Sequence, residues 1–357
     1  MNVSAEVSFK YDLRAFLRVS SSARIQRWRL RESSALRALG GGLLLLFLAC
    51  VSHGAGSSGQ ITSLAVSPDG KLIALVVEKG STSFIHRVGV NTGVATRLTD
   101  AKDGEETSPT FSPDGKRIAY SHEPGNHTRS RIVIVNVDGS DKHEWSPSSM
   151  TDLSPVLSPD NQTIVFARAD FYGSHSPIAQ PHPHGWSFFA ANLDGTNVRQ
   201  LTTERFYMVS RPAVSPDGKN MVVVTEGLET DQQIAIYSIT SPGPPVRTFR
   251  PHVPKEVSRK HPIFAYPNYL PDGSILFMAA NTRVDYDVYR LNPETGAIEK
   301  LTNHNGYATE LKVSVDGKTA AFLKWRKNWM LEVTDPEPYL LDLESHKLTP
   351  LKISGLG

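Results

Sequence analysis

The tetrapeptide Ser-Pro-Asp-Gly recurs at a nearly constant interval through most of this 357-residue chain. Three copies are intact, at 67–70, 112–115 and 215–218. Three altered copies read Ser-Pro-Asp-Asn at 158–161, Leu-Pro-Asp-Gly at 270–273 and Ser-Val-Asp-Gly at 314–317. Successive aspartates are 45, 46, 57, 55 and 44 residues apart. A period of this length is typical of repeat architectures, in which each repeat buries its surface against its neighbours.

Short apolar runs flank each copy, such as Leu64–Val66 before the first and Leu72–Val77 after it. Two such runs joined by a Pro-Asp-Gly turn predict a β-hairpin, because Pro presets φ, Asp bonds to nearby backbone and Gly accepts positive φ. A third strand ends in a Gly-containing turn, and a fourth segment often closes on Leu-Thr, as at 98–99 and 348–349. Leu-Thr is absent from the second repeat, which has Glu144-Trp145 there, and from the fourth, which has the Pro-rich stretch Ser241–Pro245.

Six sets of four antiparallel strands predict an all-β fold, a six-bladed β-propeller of four-stranded blades preceded by a signal segment. We assign 1–56 to a targeting segment and linker, and 57–353 to the propeller. We expect blade 1 to pack directly on blade 6, closing the ring. The predicted blades are approximately 61–100, 101–150, 151–203, 204–250, 260–303 and 304–353.

The repeat resembles the TolB-type (WD40-like) propeller repeat, in which an apolar residue precedes Ser-Pro-Asp-Gly-Lys and a strand, a Gly turn and Leu-Thr follow. The resemblance covers roughly 57–353. It implies a propeller that binds proteins of the cell envelope, including peptidoglycan-associated lipoproteins, through one face. The partner expected from it is therefore an envelope protein, and we expect the propeller to be monomeric.

The N-terminus has the layout of a secretory signal. Basic residues are concentrated before the apolar run Leu43–Ala49, which is much shorter than the about 20 residues that span a bilayer. We therefore expect export to the periplasm or the extracellular space. Phe47-Leu48-Ala49-Cys50 resembles a bacterial lipobox, which would attach lipid to Cys50 and anchor the chain to a membrane; ordinary cleavage, for example after Ser52 or Gly54, is the alternative.

Composition limits the classes of function. The formal net charge of +2, with its basic excess in the N-terminal segment, does not favour a nucleic-acid partner. Cys50 is the single cysteine, so the propeller is expected to be stabilised by blade packing without a disulfide. Common enzyme signatures are absent, and Gly54–Gly59 matches Gly-x-Gly-x-x-Gly only as a linker. We therefore expect no cofactor, with a divalent metal ion as the alternative.

Two insertions interrupt the repeat. One, Asp170–Gly185 in blade 3, holds or adjoins a set of aromatic and histidine residues that we predict to form a binding loop: Tyr172, His175, His182, His184 and Trp186. The three histidines are the alternative metal ligands, because imidazole is a common ligand of zinc and other transition metals. The other, Pro242–His261, is Pro-rich and basic, and is either a docking loop or a solvated connection.

A second candidate site follows from register. The residue six positions before each turn aspartate is predicted to begin the innermost strand, so these six residues should ring one mouth of the channel: Ser63, Ser108, Ser154, Arg211, Tyr266 and Glu310. We predict that Arg211, Tyr266 and Glu310 bind a ligand or peptide there. The alternative is that Arg211 and Glu310 pair with each other or face solvent.

Three classes of function remain. The first is a non-enzymatic, extracytoplasmic binding module. The second is a propeller enzyme, such as an oligogalacturonate-type polysaccharide lyase with a histidine-bound metal. The third is a stand-alone relative of the propeller found in prolyl oligopeptidases.

Overall fold

The structure is a computed structural model, and it describes residues 59–356 except 101–103, 126–128, 147–148, 174–181, 207, 227–231, 254–262, 281–285, 304–305 and 328–332. The predicted signal segment and Cys50 therefore lie outside the described residues. Ser58–Gly357 forms one compact unit. No helix long and apolar enough to cross a bilayer occurs in the described part of the chain.

The described residues form 25 strands, grouped here by blade. Blades 1 and 2 contain β1 (Gln60–Val66), β2 (Leu72–Lys79), β3 (Thr82–Gly89), β4 (Ala95–Arg97), β5 (Glu105–Phe111), β6 (Arg117–Glu123), β7 (Arg131–Asn136) and β8 (His143–Glu144). Blades 3 and 4 contain β9 (Asp152–Leu157), β10 (Thr163–Gly173), β11 (His182–Asn192), β12 (Arg199–Gln200), β13 (Met208–Val209), β14 (Ala213–Val214), β15 (Asn220–Glu226), β16 (Gln233–Ser238) and β17 (Arg247–Phe249). Blades 5 and 6 contain β18 (Ile263–Tyr269), β19 (Ile275–Ala280), β20 (Tyr286–Leu291), β21 (Ile298–Lys300), β22 (Ala308–Val313), β23 (Thr319–Lys327), β24 (Val333–Asp342) and β25 (Leu348–Pro350).

Each blade is an antiparallel sheet of consecutive strands, which confirms the predicted six-bladed propeller. The first strand of each blade contacts the first strands of the two neighbouring blades. These innermost strands therefore surround a central channel. Blade 4 differs, because its innermost strand is split into β13 and β14, both paired with β15. The interruption falls at Ser210-Arg211-Pro212.

The repeated tetrapeptide forms the turn between the first and second strands. In blade 1, the Ser67 hydroxyl donates to Oδ1 of Asp69 (2.8 Å) and accepts from the backbone N–H of Leu72 (2.8 Å). Asp69 also accepts from the backbone N–H of Lys71, and Gly70 takes φ 69°. Ser and Asp thus satisfy backbone donors that the tight turn leaves without strand partners.

The altered copies keep the bonds to the turn aspartate, although the blade 5 turn is one residue shorter, with the Leu270 N–H bonded to the Ser274 carbonyl. In blade 5, where Leu270 replaces the serine, Ser274 donates to Asp272 through both its hydroxyl and its backbone N–H. In blade 3, Asn161 takes the left-handed conformation (φ 58°) that glycine has elsewhere. The departures at these two turns therefore leave the hairpin intact.

The Leu-Thr motif has a similar local cause. The Thr99 hydroxyl accepts from the buried backbone N–H of Ile85 at 2.9 Å. In blade 2, Ser146 accepts from Ile132 in the same way, so Trp145-Ser146 replaces Leu-Thr. In blade 6, Leu351 takes the place of Leu98, because its backbone N–H donates to the Pro338 carbonyl as that of Leu98 donates to the Ile85 carbonyl. The Leu348-Thr349 sequence is therefore not the structural counterpart of the motif.

The hydrophobic core lies mainly between adjacent blades. The cluster between blades 6 and 1 joins Leu64, Leu75 and Val77 to Ala321 and Leu323. A parallel bridge between Val94 and Ser354 adds two backbone hydrogen bonds of 2.9 Å at this junction. The ring is therefore closed by direct packing of blade 1 on blade 6, as the sequence analysis expected.

The two faces of the disc carry different connections. The tetrapeptide turns and the turns between third and fourth strands lie on one face, here named the turn face. The connections from second to third strands and from blade to blade lie on the opposite face, here named the connection face.

Candidate binding site in the central channel

Five of the six register-equivalent residues lie within the innermost strands and do not begin them, and Arg211 lies at the break between β13 and β14, which corrects the sequence prediction. Pairing with the second strand shifts at this position in blades 2, 3, 5 and 6. The residues at these four bulges have left-handed backbone: Ser108 (φ 55°), Ser154 (φ 55°), Tyr266 (φ 51°) and Glu310 (φ 66°). A bulge inserts an extra residue and re-aims its side chain, and left-handed non-glycine residues cost free energy.

Arg211 crosses the channel. One guanidinium nitrogen, Nη2, donates to the Ser63 hydroxyl of blade 1 at 3.1 Å, and Nη1 lies 2.5 Å from Oε2 of Glu310 in blade 6. Blades 4 and 1 are opposite each other in a ring of six, so the side chain spans the central opening. The break in the innermost strand of blade 4 places Arg211 where it can do this.

The Arg211–Glu310 pair is nearly buried, with side-chain exposures of 15% and 10%. The two facing atoms are in ionic contact, but neither has a well-aligned hydrogen bond to the other or to another described group. Both atoms therefore keep hydrogen-bonding capacity that the surrounding protein does not use. The pairing foreseen as an alternative is thus present, although the two facing atoms lack an aligned hydrogen bond.

Lys312 adds a second cation to this part of the channel. It lies two residues beyond Glu310 in β22 and is partly buried. Burial, together with the charge of Arg211, lowers the pKa of Lys312 to about 7, although Glu310 opposes the shift. Within the described residues, the Lys312 ammonium makes no hydrogen bond or ion pair. When Lys312 is protonated, this group of three side chains has two positive charges and one negative charge.

Tyrosines surround the charges on the blade 5 and 6 side. Burial raises the pKa of Tyr266 well above its ordinary value, and Glu310 and Tyr307 add to the shift, so its hydroxyl stays protonated and can donate. Tyr286, Tyr307 and Trp325 form an aromatic chain beside it, with ring centroids 5.5 Å and 5.9 Å apart. All three rings are partly exposed, so they offer apolar surface next to the charged group.

The predicted blade 3 binding loop is largely a hairpin extension. Strands β10 and β11 stay paired out to Gly173 and His182, with His184 opposite Phe171. His175 lies outside the described residues, and the structure describes only the backbone of Tyr172, His182 and His184.

Trp186 belongs to the core. It is 9% exposed, packs in the cluster between blades 3 and 4, and exchanges two backbone hydrogen bonds with Phe206. This placement corrects its assignment to the exposed binding loop. As for metal binding, no group of three or more His, Cys, Asp or Glu side chains suited to an ion occurs among the described residues, a set that excludes His175 and the side chains of His182 and His184.

Sequence reasoning missed Lys312, Tyr286 and Tyr307. Lys312 stands four positions before its turn aspartate, where the other blades have Ala65, Thr110, Val156, Ala213 and Asn268. It is the single charged residue at that position, and this contrast was a signal available in the sequence. Tyr286 begins β20 and Tyr307 lies in the connection just before β22, and neither position is fixed by the spacing of the turn aspartates.

Comparison with known proteins agrees with this architecture. The family model of the TolB β-propeller domain matches residues 52–176. The crystal structure of TolB from Acinetobacter baumannii superposes with a TM-score of 0.56 at 16% identity, covering 82% of this chain and 63% of TolB. An oligogalacturonate lyase from Vibrio parahaemolyticus superposes with a TM-score of 0.51 at 14% identity, covering 82% of this chain and 77% of the lyase.

A curated relative, dipeptidyl-peptidase 5 of Aspergillus fumigatus, is 25% identical over 199 residues, covering 52% of this chain and 25% of that enzyme. The chain therefore spans about a quarter of that relative and less than two thirds of TolB. The structural likenesses, all at low identity, show the fold. The fold defines this chain as an all-β, six-bladed propeller, and its residues 52–176 match the TolB β-propeller domain model.

Proposed function

We propose that this chain is a non-enzymatic binding propeller outside the cytoplasm, which holds a segment of an envelope protein in its channel from the connection face. The observation that carries the proposal is the Arg211 side chain. It spans the channel between blades 4, 1 and 6 and leaves hydrogen-bonding capacity unused. An ion pair that served only to stabilise the fold would not need to cross the channel, because each blade already packs on its neighbours through an apolar core.

Three further features support this proposal. Four left-handed, non-glycine residues lie in the channel wall, and strained backbone of this kind is found preferentially at functional sites. Partly exposed aromatic rings adjoin the charges, and aromatic residues with arginine are enriched where proteins bind one another. The TolB-type repeat carries the same expectation of an envelope partner, and export and a lipid anchor at Cys50 are parts of the proposal.

Site-specific photocrosslinking tests which face binds. Benzoylphenylalanine replaces Tyr307, beside the channel, or Asp138, an exposed turn-face residue that serves as the matched control. Full-length protein is irradiated in the envelope fraction of the source cells, and adducts are identified by mass spectrometry. We expect one protein to be captured from position 307 and not from 138, and its capture to fall at least fivefold with Arg211→Met. Equal capture from both positions, or capture unaffected by Arg211→Met, would contradict the proposal.

The enzyme alternatives are secondary to this proposal. The lyase alternative requires a metal at His175, His182 and His184, and two of these lie two residues apart in one strand, β11. Elemental analysis of the purified chain beside a His182→Ala/His184→Ala variant tests it. Near-stoichiometric metal in the parent chain that disappears in the variant would favour the enzyme.

A further inference from the structure

The three charged side chains of this site, two cations and one carboxylate, do not balance in charge. Arg211 and Lys312 are both cations within electrostatic reach of each other, and Glu310 is the carboxylate that acts on Lys312. Arg211 already contacts Glu310, whereas the Lys312 ammonium has no ion-pair or hydrogen-bond partner in the described part of the chain. A partly buried cation without a counter-ion is costly, so the site gains stability by losing a proton or by binding an anion.

The surrounding groups are suited to one kind of anion. Lys312 supplies ammonium donors, and Tyr266 supplies a hydroxyl held in its protonated form. Of the five N–H groups of the Arg211 guanidinium, one donates to Ser63, and Nη1 makes an ionic contact with Glu310. Carboxylates are the planar anions that arginine binds through paired hydrogen bonds. The adjacent rings of Tyr286, Tyr307 and Trp325 provide apolar surface for carbon atoms attached to that carboxylate.

We propose that the channel binds a carboxylate group of the partner segment between Lys312 and Arg211. This inference rests on the proposed function and specifies the chemistry of the bound segment. The carboxylate is that of a chain terminus or of an acidic side chain, and the same donors serve both. Glu310, which already occupies one side of Arg211, sets the geometry of the remaining donors.

Binding of a carboxylate should depend on pH with a definite sign. A bound anion favours the protonated form of Lys312, so it raises the pKa of that residue from about 7. Above that pH the protein must take up a proton to bind, and affinity falls by up to about tenfold per pH unit. The other groups that face Lys312 are Arg211 and Glu310.

The test uses the full chain with its lysines reductively dimethylated with carbon-13 formaldehyde, which keeps their charge, and follows the Lys312 methyl resonance by NMR. The resonance is assigned by its loss in Lys312→Met, and Lys318→Met, which removes an exposed lysine of the same blade, is the matched control. Three probes are titrated at pH 6.0, 7.0 and 8.5. They are acetyl-Gly-Phe with a free terminus, its C-terminal amide, and acetyl-Glu-Phe amide.

We expect at least one peptide that carries a carboxylate to shift the resonance, with a dissociation constant at least tenfold higher at pH 8.5 than at 6.0. The uncharged amide should give no shift, and Lys318→Met should behave like the parent chain. A response to the terminal carboxylate alone, or to the side chain alone, identifies the source of the group. No response to either carboxylate peptide, or an equal response to the uncharged amide, would overturn the inference. Face-specific crosslinking from position 307 is independent of these results, so failure here leaves the proposed function separately testable.

Discussion

At the scale of single residues, the Arg211–Glu310 pair joins two blades through charges that are largely removed from water. Removing one member of such a pair leaves the other charge buried without compensation. We therefore expect Glu310→Gln to lower the free energy of unfolding by about 3 kcal/mol. The double variant Arg211→Met/Glu310→Gln should be less destabilised than the sum of the two single variants. Urea unfolding of the four proteins measures this coupling, and additive losses would show that the pair contributes no specific interaction.

Lys312 should make stability depend on pH. Its pKa is about 7 in the folded chain, against 10.5 for an ordinary lysine, so between these values the unfolded chain binds more protons. Stability from this group therefore rises as pH increases from 7 to 10.5, by at most about 1.4 kcal/mol per unit. The free energy of unfolding of the parent chain should therefore increase, relative to that of Lys312→Met, from pH 7 to 9. The difference in unfolding free energy between the parent chain and Lys318→Met should not change with pH. A pH-independent difference for Lys312→Met would contradict the account.

The sequence predicted part of this site. Counting back from the turn aspartate found Arg211, Tyr266 and Glu310, because the repeat fixes register along each innermost strand. It did not show that Arg211 reaches blade 1, since contacts across a channel depend on the closed ring. It also placed Trp186 in a loop, although strand pairing carries that residue into the core.

At the scale of single elements, the Ser-Pro-Asp-Gly hairpin depends on its serine. The buried Ser112 donates to Asp114 at 2.6 Å and accepts from the backbone N–H of Arg117 at 2.9 Å. We expect Ser112→Ala to cost about 1–2 kcal/mol, because it leaves a backbone donor without its partner. Ser345→Ala removes a similar hydroxyl–aspartate bond in an exposed turn and should cost less than about 0.5 kcal/mol. Equal decreases in stability of the two variants in thermal unfolding would show that the hydroxyl bonds of the tetrapeptide stabilise the fold no more than the exposed one does.

The hairpins themselves were predictable from sequence, because their turn chemistry is local. Substitutions within them were not, since Ser146 in blade 2 and Ser274 in blade 5 provide the missing hydroxyl from positions outside the motif. The fourth strand of blade 4, Arg247–Phe249, was likewise hidden by the preceding Pro-rich turn.

At the scale of the whole molecule, ring closure depends on close backbone approach between blades 1 and 6. Gly93 has φ 66°, and a Cβ there would lie 2.2 Å from the backbone oxygen of Lys352. Gly195 has φ 83° with nothing within 4 Å of a Cβ, so it is the matched control for backbone strain alone. We expect Gly195→Ala to cost about 1 kcal/mol and Gly93→Ala about 2 kcal/mol more. Similar melting temperatures for the two variants would contradict the described junction.

The central claim is that the charged channel of this closed propeller is where a protein partner binds. Isothermal titration of the partner captured from position 307 against the parent chain and Arg211→Met/Glu310→Gln tests it most directly. The double variant removes both charges together, so it leaves neither of them buried alone. We expect its affinity to be at least tenfold weaker, with the fold retained by circular dichroism. An unchanged affinity would place the binding site elsewhere on the molecule and contradict the account.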